Sequence, residues 1–202
     1  RIAHLRHRPA SAEDRPAETG VMDPSALVRA LEEAVPSARF QAAPAIDLQT
    51  TVYVERDDLP GVARALRDHP ALRFALLAEL TAVDFHPRDP RFEVVYLLVS
   101  IEHRLRLRLK VRLVNGDARI ASVIDVWPAA NWLEREVWDL FGIEFDGHPD
   151  PRRLLMPEDW EGFPLRKDYP VQIRMTPRTT EALQVTPEEF RANVERDRLA
   201  RR

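Results

Sequence analysis

The sequence predicts an α+β domain, a two-layer body with a mainly antiparallel mixed sheet, followed by a helix and a long extended C-terminal arm. Three observations predict it. The hydrophobic patterns run in the order helix, two strands, helix, three strands. One further amphipathic helix follows them, and after it comes a proline-punctuated stretch with no period. At 202 residues the chain is long enough to bury a core without metal or disulfide staples.

Asp23-Pro24 suits a helix start, with Asp as N-cap and Pro at the first helical position. Leu27, Val28, Leu31, Ala34 and Val35 then share one face, and Pro36 ends the helix. Residues 39–46 and 49–55 alternate in polarity around Asp47-Leu48 and read as a hairpin. Asp58 is expected to cap a second helix whose Leu59, Val62, Ala63 and Leu66 line one side, ending near His69-Pro70. The apolar or alternating runs 74–85, 92–101 and 105–114 are strands, connected by residues 86–90 and 102–104.

In the last of these strands Arg104, Arg106, Arg108, Lys110 and Arg112 fall on one face, and Leu105, Leu107, Leu109, Val111 and Leu113 on the other. One-sided wetting is ordinary for antiparallel sheets, so a solvated outer face is the leading reading. The sharper alternative is a basic stripe for nucleic acid or an acidic partner. No aromatic rings alternate with the cations to stack bases, which argues against single-strand binding.

After Pro128, Asn131 with Glu134 three residues on suits a capped helix start, and Leu133, Val137, Leu140 and Phe141 form a stripe at helical spacing. Gly142 fits a left-handed C-cap, with Ile143 as its apolar follower. At about 100° per residue, Glu134 and Glu136 flank the stripe on opposite sides, and Arg135 and Asp139 are expected outward as an i,i+4 pair. Carboxylates that diverge in this way do not converge on one substrate, so an acid/base dyad is disfavoured. The residues point instead to a helix whose flanks receive positive or hydrogen-bonding groups from elsewhere.

Composition excludes several chemistries. The chain has no cysteine, hence no disulfide, thiol nucleophile, Cys-held zinc or iron–sulfur cluster of its own. Its six glycines form no phosphate-binding cluster. His148 and Asp150 have no Ser or Cys nucleophile and no second histidine at ligand spacing. A net charge of −3 gives no global field toward nucleic acid or an anionic membrane. The longest nearly apolar runs, such as residues 94–101, fall short of the roughly 18 to 20 residues that cross a bilayer. Residues 1–20 are expected to form a disordered tail, with a processed organellar leader as the other reading.

From residue 143 to about 185 no period is visible, and Pro149, Pro151, Pro157, Pro164, Pro170 and Pro177 interrupt regular structure. Trp160, Phe163 and Tyr169 argue against a free tail. A proline-stiffened arm carrying rings suits a segment laid across another protein. Thr186-Pro187-Glu188-Glu189 then opens a short helix with a capping box, with Phe190 and Val194 as its apolar pair. The expected organisation is a tail over residues 1–20, an α+β domain over 21–142 and a partner-docking arm over 143–202.

Two separated motifs carry a family resemblance. Glu134-Arg135-Glu136, then Asp139-Leu140-Phe141, then His148 with Arg152, Leu154 and Leu155 resembles the signature of the C subunit of the proton-pumping NADH:quinone oxidoreductase, respiratory complex I. The later FPLRKDYP, residues 163–170, is similar to that family's tail. The resemblance implies a peripheral-arm subunit with no catalytic, cofactor or metal site of its own. FMN, iron–sulfur clusters and quinone would sit elsewhere in the complex. Its implied partners are the D subunit at the quinone cavity and the neighbouring iron–sulfur subunits, not nucleic acid. Membrane association would come only through the complex, on the cytoplasmic side of the inner membrane or the matrix side of an organelle. Glu134, Arg135, Glu136, Asp139, His148, Arg152, Arg153, Arg166, Lys167, Asp168 and Tyr169 become interface and fold-locking residues. The alternatives are the equivalent scaffold of a membrane-bound hydrogenase or non-NADH quinone-reducing complex and, remotely, a basic-strand nucleic-acid-binding module.

Overall fold

The computed structural model describes residues 24–44, 47, 49–170, 186 and 188–192. The expected tail over residues 1–20 lies outside them. Helix α1 spans Pro24–Ala34 and precedes the hairpin of β1 (Phe40–Ala43) and β2 (Thr51–Val54). A 3₁₀ turn, Arg56–Asp58, leads into α2 (Leu59–Asp68). Strands β3 (Leu76–Asp84), β4 (Phe92–Ser100) and β5 (Leu105–Leu113) form a meander. Short strand β6 (Arg119–Ala121), helix α3 (Ala130–Phe141) and short strand β7 (Glu144–Asp146) follow.

The main sheet has the order β1-β2-β5-β4-β3, antiparallel at every pairing except the parallel β2–β5 contact. That is the mixed, mainly antiparallel sheet expected. The parallel contact arises because the chain crosses over through α2 and the meander before β5 returns beside β2. Leu105, Leu107, Leu109, Val111 and Leu113 are buried, and alternate residues of β4 and β2 share their face. These join Leu27 and Leu31 of α1, Val62 and Leu66 of α2, and Val137 and Phe141 of α3 in one core. The indole of Trp127 donates to the Phe74 carbonyl at 2.9 Å, tying the approach to α3 to the start of β3.

Two expectations about helix starts need correction. Asp58 precedes α2 but makes no capping bond; its carboxylate accepts from the amide of Arg39 at 3.2 Å. Asn131 is not the N-cap of α3, which begins one residue earlier, at Ala130. The Glu134 carboxylate is therefore not spent on its own helix start. At the other end, Gly142 is left-handed (φ 70°), as expected, and its amide donates to the Trp138 carbonyl at 2.8 Å.

The compact unit that holds the sheet runs to Tyr169, and a second unit begins at Pro170. Ile143 is fully buried, and β7 pairs in parallel with β6. In the second unit the amide of Thr186 donates to Glu189 at 3.0 Å and the amide of Glu189 donates back to the Thr186 hydroxyl at 3.3 Å. That reciprocal pair is the capping box read from the sequence.

Candidate functional site: a charged helix that locks a strap

The motif residues gather where α3 meets the strap, residues 147–169. Asp139, fully buried, is the centre. Its Oδ2 accepts from three consecutive amides, Leu154 at 3.0 Å, Leu155 at 2.7 Å and Met156 at 2.9 Å. Its Oδ1 accepts from Arg153 at 2.7 Å, and Arg153 also donates to the carbonyls of Trp160 at 2.8 Å and Gly162 at 3.2 Å. Successive amides turned toward one anion make a nest, and here a side chain fills it. Burial pushes the Asp139 carboxyl up, but the three amides and Arg153 outweigh it and hold it below the usual carboxylate range.

Arg135 and Asp139 do not point into solvent as an i,i+4 pair, because the strap folds back over that side of the helix. Arg135, only 8% exposed, donates to the carbonyls of Arg152 at 3.0 Å and Arg153 at 3.1 Å. The amide of Asp150 donates to Nδ1 of His148 at 3.0 Å, so the hydrogen lies on Nε2, which donates to the Asn131 carbonyl at 3.1 Å. His148 is thus a clip between α3 and the strap.

The second motif closes the strap. Arg166 donates to the carbonyls of Phe141 and Gly142, placing a cation on the exposed carbonyl end of α3. Arg91, 3% exposed, binds both oxygens of Asp84 (3.0 and 2.8 Å) and both of Asp168 (2.9 and 2.6 Å). Asp84 also accepts from the amides of His86 and Lys167 at 2.8 and 2.9 Å. Burial works against ionised Asp84, yet Arg91 and these amides hold its carboxyl well below the usual range. Tyr169 stacks on Trp160, with ring centroids 6.5 Å apart, and donates its hydroxyl to the Glu161 carbonyl. Sequence reasoning missed Arg91 and Asp84, and Asp168 lies 77 residues away from Arg91. An arginine before an apolar strand carried no signal of that pairing.

Gly142 fits because it lacks a side chain. A Cβ there would lie 2.4 Å from the Phe163 ring and 2.6 Å from Arg166. Gly142→Ala should cost at least about 1–2 kcal/mol from the left-handed conformation alone, with the overlap in addition. Thermal unfolding and faster hydrogen exchange at residues 163–166 are the readouts; an unchanged melting temperature would refute this packing.

Glu134, also fully buried, behaves oppositely to Asp139. It accepts from the Val123 amide at 2.7 Å and the Ser122 hydroxyl at 2.6 Å and pairs with no cation among the described residues. Burial therefore dominates over these two bonds and pushes its carboxyl up to about 7, from an ordinary 4.5. The folded state holds this proton more tightly than the unfolded chain. The associated stability is fully present below about pH 4.5 and is lost as pH rises through about 7. The loss should total on the order of 3 kcal/mol, and Glu134→Gln should flatten this part of the stability–pH curve. Denaturant unfolding from about pH 4.5 to about pH 8 reads it, and identical slopes for both proteins would contradict the assignment.

Of the expected interface residues, then, Glu134, Arg135, Asp139, His148, Arg153, Arg166 and Asp168 direct their polar groups into the chain itself. Arg152 binds Asp150 with its side chain 75% exposed. The side chains of Glu136 and Lys167 make no hydrogen bond or ion pair among the described residues. Trp132 of α3 and Leu155 of the strap are exposed, at 58% and 59%. A cavity of about 230 Å³ lies under α3, lined by Trp138, Phe145, His148 and Pro151 together with charged residues. No group of three or more His, Asp or Glu suited to a metal ion occurs among the described residues. No described helix is long and apolar enough to cross a membrane.

Such a site defines a class of protein, one whose most polar motif is spent on internal architecture. The family model for the respiratory-chain NADH dehydrogenase 30 kDa subunit matches residues 52–174, and the chain belongs to that family. It is 46% identical over 150 residues to the C subunit of NADH-quinone oxidoreductase from Roseiflexus sp. (strain RS-1), covering 74% of this chain and 86% of the relative. A longer relative of the same name from Saccharopolyspora erythraea is 49% identical over 124 residues, 61% of this chain and 50% of that one. Among solved structures, a chain of the archaeal membrane-bound sulfane sulfur reductase complex superposes with a TM-score of 0.61 at 28% identity. That match covers 73% of this chain and 85% of the other.

Proposed function

We propose that the chain is a non-catalytic peripheral-arm subunit of the proton-pumping NADH:quinone oxidoreductase. On this reading it docks on the D subunit beside the quinone site, near the iron–sulfur subunits, and supports assembly. FMN and iron–sulfur clusters of other subunits carry electrons from NADH to quinone. The assembly sits on the cytoplasmic side of the inner membrane, or on the matrix side in an organelle, and this chain reaches the membrane only through its partners.

The observation that carries the reading is the fate of the signature. Apart from Glu136, its carboxylates and guanidiniums bind backbone, a hydroxyl or one another, and Arg135, Asp139 and Arg153 hold a strap in shape, a use that supports a structural role over acid–base chemistry. On α3 the exposed Trp132 has the half-buried Glu136 one turn on and Arg135 stacked at its ring, and the locked strap also exposes Leu155, Arg152 and Lys167. An aromatic anchor rimmed by charge is a suitable docking surface, and its rigidity lowers the entropy lost on binding. Trp132→Ala combined with Glu136→Arg should leave the isolated chain's melting temperature within about 2 °C, because neither side chain is in the core. The same pair should strongly reduce the chain's incorporation into the complex, measured by native gels of solubilised membranes. Normal incorporation would overturn this docking surface.

A second reading has one specific support, the 28% identical chain of the sulfane sulfur reductase complex. There the same scaffold role would serve a respiratory membrane complex named for sulfane sulfur reduction, with the locked strap unchanged and the reaction different.

A further inference from the structure

The face of the main sheet turned away from the helices carries a second pattern. The apolar residues on it are Leu76 and Val83 of β3, 43% and 38% exposed, the half-buried Leu97 and Val99 of β4 and the buried Val95, a stripe interrupted on β3 by Glu79 and Thr81. On β5, Arg106, Arg108, Lys110 and Arg112 stand in register with Val99, Leu97, Val95 and Glu93. Alternate strand residues recur about every 6.8 Å, so the cations form an evenly spaced row along one side of the stripe.

The row is ordered and carries more positive charge than its neighbours offset. Lys110 and Arg112 share the single carboxylate of Glu93, at 3.0 and 3.6 Å. Tyr53 donates to Glu93 at 3.0 Å and holds Arg112 over its ring at 3.8 Å. Arg108 binds Asp47, and Arg106 has no ion pair among the described residues. Within the stripe, on the β3 side away from the cations, Glu79 is exposed between Leu76 and Val83, opposite Leu97 in register. The face is therefore polarised, cationic along β5 and acidic at β3.

We infer that this face binds an acidic amphipathic helix of a neighbouring protein, its carboxylates over the β5 row and its apolar side over the β3–β4 stripe. β4 and β5 are interior strands whose backbone groups are already paired, so no added strand can be read there. A helix laid along the strands offers carboxylates at i and i+4 about 6 Å apart, close to the spacing of the cations. Glu79 repels a helix placed the other way round. The partly buried aliphatic stripe has no rings for base stacking, which disfavours nucleic acid. The inference rests on the subunit reading for its neighbours but uses none of the strap residues.

The test is a photo-crosslinking amino acid at position 97 in the tagged full-length chain, purified with its complex, with position 64 on α2 as control. The expected result is capture of a peptide with acidic residues at helical spacing, above the control, and a several-fold loss of that product in Arg106→Glu. Capture of no protein, of lipid or nucleic acid, or of a non-acidic segment would overturn the inference, as would a yield indifferent to Arg106→Glu. Co-purification with the complex reports on the subunit reading separately. A free chain that still captures an acidic helix keeps this inference and removes that reading, and a free chain that captures nothing removes both.

Discussion

Asp139→Ala should destabilise the protein by about 3–5 kcal/mol, because it leaves the largely buried Arg153 guanidinium unpaired and three inward-facing amides without an acceptor. A domain with a typical stability of about 5–15 kcal/mol loses a large part of it. The loss should be local first, with hydrogen exchange at residues 154–156 accelerating under conditions where β4 and β5 stay protected. Asp139→Asn keeps the volume but turns an NH₂ toward donors, so it should fall between Ala and the native residue. Denaturant unfolding within about 0.5 kcal/mol of the native chain for Asp139→Ala would show that the nest does not hold the strap.

Arg91→Ala should have an effect of similar size for a different reason. It strands Asp84, whose side chain is 2% exposed, with only two amides for company. Asp168 loses the same partner but is 46% exposed, so Asp168→Asn should cost about 1 kcal/mol or less. The pH dependence separates the two. In the native chain the depressed Asp84 pKa contributes stability above the unfolded value of about 3.9 and loses it only as pH falls through the folded value. Without Arg91 burial should push that carboxyl up, so the acid transition should begin at higher pH. An acid transition unchanged in Arg91→Ala, or an Asp168→Asn effect as large, would contradict this account of the clamp.

Much of the body is legible in the sequence because period and burial agree. The runs 92–101 and 105–114 read as strands and form Phe92–Ser100 and Leu105–Leu113. The hairpin around Asp47, the start of α1 at Pro24 and the left-handed Gly142 follow from turn chemistry within a few residues. What escapes is non-local. β6 and β7 are three residues each and pair across the whole of α3, too short for a pattern. Asp139 looks like a solvated partner of Arg135 because the donors it accepts from are backbone amides some 15 residues on, which no side-chain pattern announces. Motif spacing marks the site, and only the folded strap explains why both charges are buried.

The chain's place in a quinone-reducing complex is tested most directly by tagging it in its native host, solubilising membranes gently, and identifying the co-purifying proteins while assaying NADH-dependent quinone reduction. The account predicts recovery of the flavin and iron–sulfur subunits, the D subunit and membrane components with that activity. Recovery of a donor module that does not oxidise NADH would keep the scaffold and change the reaction. Recovery of the chain alone would contradict the account.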